Sequence, residues 1–268
     1  MKKLTRFAWP YGGWMMLFVI VPLLIVVWFA FTNGAGDFTL DNFISMKSYG
    51  KVFGRSFGLA IITTVICLVL GYPLAYIMSK LPPKKQGVFV LLTMLPMWMN
   101  FLLRTYAWLT ILENTGLLNR LLGALGLPLL HIINTPAAVA LGMIYNYLPF
   151  MVLPIYTALT KMDHSLIEAA RDLGCSSRQV FVKVVLPLSL PGVISGITMV
   201  FVPGVSTFVI SKLLGGGTSM MVGDLIDIQF LGGAYNPNLG AAISLVMMIV
   251  IFLFMGIMQR FDDEKGVK

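Results

Sequence analysis

Charged side chains are scarce in this chain. Asp, Glu, Lys and Arg make up 11% of its 268 residues, while 58% are hydrophobic. Soluble domains carry about 25% charged residues, so this scarcity excludes an ordinary water-soluble protein. The formal net charge of +8 does not indicate nucleic-acid binding, because the basic residues stand in short groups between apolar runs rather than on one polar face. The composition predicts an all-α integral membrane protein.

Cysteine and histidine are also rare, with two residues of each. Cys67 lies inside an apolar run and Cys175 inside a polar segment, so we expect no disulfide and interpret both as small apolar fillers. His131 and His164 are far apart, and no cluster has the spacing of metal ligands. We therefore expect no metal site and place each His at the surface or the membrane interface.

Long apolar runs, by contrast, are abundant. A membrane-spanning helix needs about 20 mostly apolar residues, and six segments meet this requirement: 14–32, 59–79, 87–109, 136–160, 188–211 and 239–258. The first run is too long for the apolar region of a signal peptide, which has about 7–15 residues, and is interpreted as an uncleaved span. Residues 1–268 are thus expected to form one transmembrane domain with a polar loop at 161–187.

The distribution of Lys and Arg predicts the orientation, because cytoplasmic loops carry the excess of basic residues. With the N-terminus inside, thirteen of the nineteen Lys and Arg residues fall on the inner side: Lys2, Lys3, Arg6, Lys80, Lys84, Lys85, Lys161, Arg171, Arg178, Lys183, Arg260, Lys265 and Lys268. Five fall outside: Lys47, Lys51, Arg55, Arg120 and Lys212. Both termini and the polar loop are therefore expected in the cytoplasm.

Small residues spaced four apart predict close packing between the spans. Gly192 with Gly196 begins the fifth span, and Gly71 with Ala75 lies in the second. Prolines inside several spans predict kinked helices that are surrounded by protein.

The polar loop has the pattern of two short helices. Ser165 and Glu168 have the spacing of a capping box, with Asp163 as a competing N-cap. Gly174 suits a left-handed C-terminal cap. Ser176 and Gln179 repeat the capping pattern, and Pro187 is expected to stop or kink the second helix.

Each short helix must have its apolar face covered, since helices of this length are marginal alone in water. In the first helix that face holds Leu166, Ala169, Ala170 and Leu173. The loop either rests on the bilayer or on this chain's own helix ends, or it inserts into a groove of a partner protein.

The loop resembles the EAA motif of binding-protein-dependent ABC importer permeases. The matching residues are Glu168-Ala169-Ala170, Gly174, Val184 (where the family has Ile) and Leu186-Pro187. The resemblance implies a type I importer permease fold and a loop that docks on a cytoplasmic ATPase. The residues implied to dock are Glu168, Ala169, Ala170, Arg171, Asp172, Leu173, Gly174, Leu186 and Pro187.

Further stretches resemble the permease subunits of spermidine/putrescine importers, among them LGYPLAYIMSKLP (70–82) and YNYLPFMVLPIYTALTKMD (145–163). This resemblance implies a polyamine as substrate and the bacterial inner membrane as location. It also implies three kinds of partner: a second permease subunit, two ATPase subunits and an extracytoplasmic solute-binding protein. Related permeases for metal ions, phosphonates or oxyanions are the alternative. An ion-coupled transporter is disfavoured, because the spans have almost no mid-membrane acid.

The sequence lacks the phosphate-binding pattern G-x-x-x-x-G-K-[ST]. Gly215-Gly216-Gly217 is followed by Thr218-Ser219, without a lysine. We expect a non-catalytic subunit with no cofactor of its own, so that ATP and Mg belong to the partner ATPase.

A pathway for polyamines should offer carboxylates or aromatic faces. Asp224 and Asp227 are candidates in an outer loop, and ordinary solvated acids are the alternative. Their glycine-rich approach, 215–223, is interpreted as a re-entrant or mobile segment.

A second candidate set comprises Trp98, Asn100, Arg104, Glu113, Tyr145 and Tyr147. Arg104 is expected near the outer interface, either snorkelling to water or paired with Glu113. The aromatic residues either offer cation–π faces or belong to interfacial belts.

Overall fold

The computed structural model describes residues 10–266, with side chains for all of these except 164 and 262–266. Lys2, Lys3, Arg6 and Lys268, used above for orientation, lie outside the described residues, as do the side chains of His164 and Lys265. The helices are α1 (Pro10–Ala30), α2 (Asp41–Ser79), α3 (Pro83–Trp98), α4 (Phe101–Leu112), α5 (Leu117–Ala124), α6 (Pro136–Thr160), α7 (His164–Asp172), α8 (Ser177–Ser206), α9 (Val209–Leu214), α10 (Val222–Leu231) and α11 (Pro237–Gly266). Over residues 10–266 there is no β-strand, only an isolated bridge between Thr32 and Phe38.

Five described helices are long and apolar enough to cross a membrane: α1, α2, α6, α8 and α11. The bent segment from α3 to α5 makes a sixth if its parts are taken together. We call the end that carries residues 161–187 the loop end. The opposite end, which carries residues 31–40, 113–135 and 207–236, is called the far end.

The expected straight third span is wrong. The chain bends by 88° between α3 and the segment that follows it. Pro96 lies in the last turn of α3, and Met99 and Asn100 are extended. The Asn100 side chain then accepts hydrogen bonds from Leu102 N (2.9 Å) and Leu103 N (3.3 Å), which starts a new helix.

The fifth span also differs from its expected limits of 188–211. It begins at Ser177, because the second helix of the polar loop continues into it, and it ends at Ser206. Pro187 does not stop this helix. A π-helical turn at Phe181–Val185 precedes the proline. Its wider backbone tolerates the absence of an N–H on Pro187 and makes room for the proline ring, which would otherwise clash with the carbonyl four residues earlier. The π turn Met16–Ile20 precedes Pro22 in the same way.

The core lies where α2, α6 and α8 pack together. Its fully buried side chains include Cys67, Met143, Met151, Ile155 and Val200. A second cluster joins α2 and α8 to α10 and α11 through residues such as Phe201 and Leu225. Both cysteines are free, with Cys67 fully buried, as expected.

The small-residue patterns mark the closest helix contacts, as predicted. A Cβ on Gly192 would lie 2.6 Å from the Pro154 carbonyl oxygen, and one on Gly196 would lie 2.8 Å from the Met151 sulfur. A Cβ on Gly71 of α2 would reach Met151 from the other side, at 3.1 Å. Only glycine permits the backbones of α6 and α8 to approach this closely.

Gly192→Ala should therefore destabilise the fold. The added methyl group meets backbone rather than a movable side chain, so we expect a loss of about 1–3 kcal/mol in the free energy of unfolding, as for other overpacked cores. Gly256→Ala in α11 is the matched control, because its Cβ would meet nothing within 4 Å. Unfolding of the two purified variants in mixed micelles would compare them, and equal stability would contradict the packing argument.

Candidate functional site

The first helix of the polar loop, α7, begins two residues earlier than the expected Ser165–Glu168 capping box allows. Asp163 is the N-cap and accepts a hydrogen bond from Ser165 N at 2.9 Å. Of the two predicted N-caps, Asp163 is therefore the one that caps α7. A carboxylate here also suits the positive end of the helix dipole.

The turn between the two loop helices follows the prediction. Gly174 has φ +83°, a left-handed conformation that favours glycine. Gly174 N donates to Arg171 O (2.8 Å) and Cys175 N to Ala170 O (3.1 Å), which together form a Schellman motif. The predicted Ser176–Gln179 capping box is present. The loop thus has a sharply defined shape.

Part of the predicted apolar face of α7 is uncovered. Ile167, Ala170 and Cys175 pack against the core. Leu173, next to the glycine turn, is 85% exposed. Of the remaining residues implied to dock, Leu186 is half-buried, whereas Glu168, Ala169, Arg171, Asp172, Gly174 and Pro187 are exposed. The tip of the loop therefore presents a large apolar side chain surrounded by charges.

A cavity of about 280 Å³ separates the loop from the ends of the spans. Glu168 and Arg171 line it from α7, and Tyr76 and Lys80 line it from the end of α2. Lys80 Nζ lies 4.0 Å from the centre of the Tyr76 ring. Sequence reasoning did not select Tyr76 or Lys80, although Lys80 directly follows the second span on the basic side.

At the far end, a cavity of about 220 Å³ brings together the two predicted aspartates. It is lined by Ser211, Lys212, Gly217, Met220, Asp224, Asp227 and Ile228. Lys212 Nζ lies 3.0 Å from Asp227 Oδ2, and the Lys212 side chain is 66% exposed while that of Asp227 is 20% exposed. Sequence reasoning counted Lys212 only as an outer-loop charge.

Asp224 is buried at the start of α10, with 7% of its surface exposed. Its Oδ2 accepts the Met221 N–H at 2.8 Å, and its Oδ1 has no hydrogen-bond partner among the described residues. Burial raises the pKa of this carboxyl, and the nearby Met221 N–H, Ser211 and Lys212 partly offset the rise. Asp224 is therefore not an ordinary solvated acid.

The glycine-rich approach to α10 is tied to its surroundings. Thr218 Oγ1 donates to Asn134 O at 2.6 Å, and Asn134 N donates to Leu214 O at 2.9 Å. Arg55 Nη1 donates to Thr218 O at 2.8 Å. These bonds join the segment to α2 and to the start of α6.

Arg104 does not snorkel, and it is not paired with Glu113. It is 8% exposed, and its Nε and Nη1 atoms have no partner among the described residues. Its expected position assumed a straight helix, which the bend before α4 removes. Glu113 is exposed at the other end of α4.

The other candidate residues lie outside the 220 Å³ cavity. Trp98 is exposed at the end of α3, and Asn100 caps α4. Tyr145 packs edge-on against Trp108, and Tyr147 is buried and donates to Pro203 O at 3.4 Å. The structure thus brings Asp224 and Asp227 together and leaves the second set dispersed.

Apolar helices around a three-helix core, with a structured polar loop at one end, define a multi-pass membrane protein. The chain belongs to the family described as "Binding-protein-dependent transport system inner membrane component", which matches residues 68–265. It is accordingly a multi-pass protein of the bacterial inner membrane.

Similar proteins span nearly the whole chain. "Spermidine/putrescine transport system permease protein PotB" of Escherichia coli is 39% identical over 254 residues, which cover 91% of this chain and 92% of that protein. The protein of the same name from Haemophilus influenzae is 38% identical over 257 residues, covering 90% of this chain and 89% of that protein.

Solved structures share the fold. A bacterial ABC transporter involved in the import of the acidic polysaccharide alginate has a chain that superposes with a TM-score of 0.80, over 96% of this chain and 95% of that chain, at 16% identity. An inward-facing MetNI methionine ABC transporter gives a TM-score of 0.61, over 82% of this chain and 97% of that chain, at 17% identity. The fold is therefore that of ABC importer permeases, as the sequence predicted.

Asp224 should make the protein more stable at lower pH. Because burial raises the pKa of Asp224, the folded state binds a proton more readily than the unfolded state, and protonation stabilises the fold. This contribution is full below about pH 4, the ordinary aspartate pKa. It is lost as the pH rises through the raised pKa. Melting of the detergent-solubilised protein should show this slope. Asp224→Asn should reduce the slope, because an amide does not titrate in this range. Its amide oxygen can still accept the Met221 N–H, so the local structure should be kept. Asp37→Asn, a substitution of an exposed acid, should leave the slope as it is in wild type. An unchanged slope in Asp224→Asn would refute the assignment of the pH dependence to Asp224.

Proposed function

We propose that this chain is the transmembrane permease subunit of an ATP-driven importer for polyamines such as spermidine and putrescine. The observation that carries the proposal is the 39% identity to a spermidine/putrescine permease over 91% of the chain. In this function the chain forms half of the translocation pathway and does not itself hydrolyse ATP.

The proposed partners are a second permease subunit, two ATPase subunits and an extracytoplasmic solute-binding protein. Given the relatives, they would be of the PotC, PotA and PotD types, with ATP and Mg bound by the ATPase. The uncovered Leu173 beside the rigid Gly174 turn supports docking of the loop on the ATPase. The loop end then faces the cytoplasm, in agreement with the thirteen basic residues counted on that side.

The proposed pathway includes Asp224 and Asp227, whose cavity offers carboxylates to a cationic solute. Trp98, Asn100, Arg104, Glu113, Tyr145 and Tyr147 are retained as candidates from sequence. Of these, the buried Arg104 is the least suited to direct contact with a cation, because like charges repel.

Uptake by proteoliposomes tests the substrate. The permease would be assembled with its second permease, the ATPase and the solute-binding protein, and accumulation of labelled spermidine and putrescine would be measured. Accumulation that requires hydrolysable ATP is expected. Transport of a metal ion, phosphonate or oxyanion instead would overturn the polyamine assignment, and uptake without ATP would overturn the importer class.

Gly174→Leu should uncouple the transporter. A leucine at φ +83° costs about 1–2 kcal/mol, enough to change the population of the docking turn roughly tenfold. Its Cβ would meet nothing within 4 Å, so the chain should still insert. We expect ATP-driven uptake to fall and ATP hydrolysis to lose its dependence on the solute-binding protein.

Gly126→Leu is the matched control for this change. Gly126 also has positive φ (+69°) and an open Cβ site, but it lies at the far end. Equal losses of uptake in the two variants, or normal uptake in Gly174→Leu at normal membrane levels, would show that the docking turn has no special role.

A further inference from the structure

The 220 Å³ cavity at the far end holds an uneven set of charges. Two carboxylates, Asp224 and Asp227, line it together with one ammonium, Lys212. The ammonium pairs with Asp227 at 3.0 Å. It makes no ion pair with Asp224, although its charge lowers the pKa of that carboxyl. When the three groups are ionised, the cavity has one negative charge in excess.

One oxygen of the buried carboxylate, Asp224 Oδ1, is left without a hydrogen-bond partner among the described residues. Ser211 is the hydroxyl residue of the lining, and its proximity lowers the pKa of Asp224. Its hydrogen, however, is donated to Phe208 O at 3.0 Å and not to Oδ1. A buried acceptor without a donor is costly, so a ligand that brings an N–H donor would gain a favourable contact here.

The Lys212–Asp227 pair is readily opened. The Lys212 side chain is mostly exposed, and exposed ion pairs contribute little net stability. Lys212 stands in the last turn of α9, where a cation remains favourable without Asp227 because of the helix dipole. Its ammonium can therefore leave the cavity without being left buried and unpaired.

We propose that this cavity binds one terminal ammonium group of a polyamine between Asp224 and Asp227, and that the Lys212 ammonium is a tethered substitute that occupies it in the absence of substrate. A primary ammonium has three donors, which can be shared between the free Oδ1 atom of Asp224 and the two oxygens of Asp227. Met220 and Ile228 provide apolar walls for the adjoining methylene groups. The inference rests on the proposed polyamine function and assigns it a site.

The size of the cavity limits what it can hold. Drug-sized ligands occupy pockets of about 300–1,000 Å³, and this cavity is smaller. It receives an end group and part of the chain, while the rest of the polyamine remains in the pathway. Such partial binding suits a transient site, from which the substrate must also leave.

Thiol protection tests the site directly. Lys212→Cys is placed in a Cys67→Ala, Cys175→Ala background of the assembled transporter, and the introduced thiol is labelled with 2-aminoethyl methanethiosulfonate. Spermidine at about ten times its apparent Kd should slow labelling about tenfold, because only the free site reacts. Sodium chloride at equal ionic strength should not.

Asp224→Asn is the discriminating variant, since it retains the acceptor for Met221 N–H and loses the carboxylate charge. It should abolish the protection by spermidine, as should Asp227→Asn, which provides a second test if the first variant accumulates poorly. Asp37→Asn, an acid outside the cavity lining, should leave the protection intact. Protection that survives both cavity substitutions would overturn the proposal.

The substitute role of Lys212 is tested by direct binding of labelled spermidine to the purified permease. Lys212→Met should bind more tightly than wild type, whereas Lys212→Arg, which retains the cation, should not. Equal affinity of all three proteins would overturn the substitute role. If the assembled transporter accumulates polyamines but shows no thiol protection, the site is wrong and the proposed function stands. If it accumulates no polyamine, the proposed function itself fails.

Discussion

The close approach of α6 and α8 is the constraint on which the rest of the structure depends. Gly192 has no room for a side chain against Pro154, and Gly196 has none against Met151. Gly71 of α2 contacts Met151 as well, so the three helices meet around this residue. Since protein interiors are packed as densely as organic crystals, three helices in such contact cannot shift independently. The bent α3–α4 segment and the shorter helices are arranged around this fixed group.

Both candidate sites lie at continuations of the same packed helices. The polar loop leads without interruption into α8, and α9 follows the other end of α8 after two residues. The glycine-capped tip and the acidic cavity are therefore linked through one span, α8. The tip is defined by local hydrogen bonds, while the cavity lies between the two helices α9 and α10. The segment that joins these helices is bonded to α2 through Arg55 and Thr218.

This difference explains what the sequence could predict. The Gly174 turn, the Ser176–Gln179 cap and the glycine contacts depend on residues a few positions apart, so their spacing revealed them. The bend before α4 was missed because hydrophobicity is continuous across it. Asn100 therefore suggested a pathway residue rather than a helix cap, and Arg104 was placed by counting along a helix that does not exist. The Lys212–Asp227 pair spans fifteen residues and two helices, which no periodicity encodes. Asp224 was selected for its charge, but its unpartnered oxygen required the tertiary structure.

The π turn at Phe181–Val185 has a geometric consequence for transport. It lies where the loop joins α8, and such widened turns are places where helices bend. The helix beyond it, Leu186–Ser206, has 21 residues. At 1.5 Å per residue, a tilt of about 10° at its base displaces the opposite tip by roughly 5 Å, about one helical pitch. A slight rotation imposed at the loop end is thereby enlarged to a displacement of several ångströms at the far end.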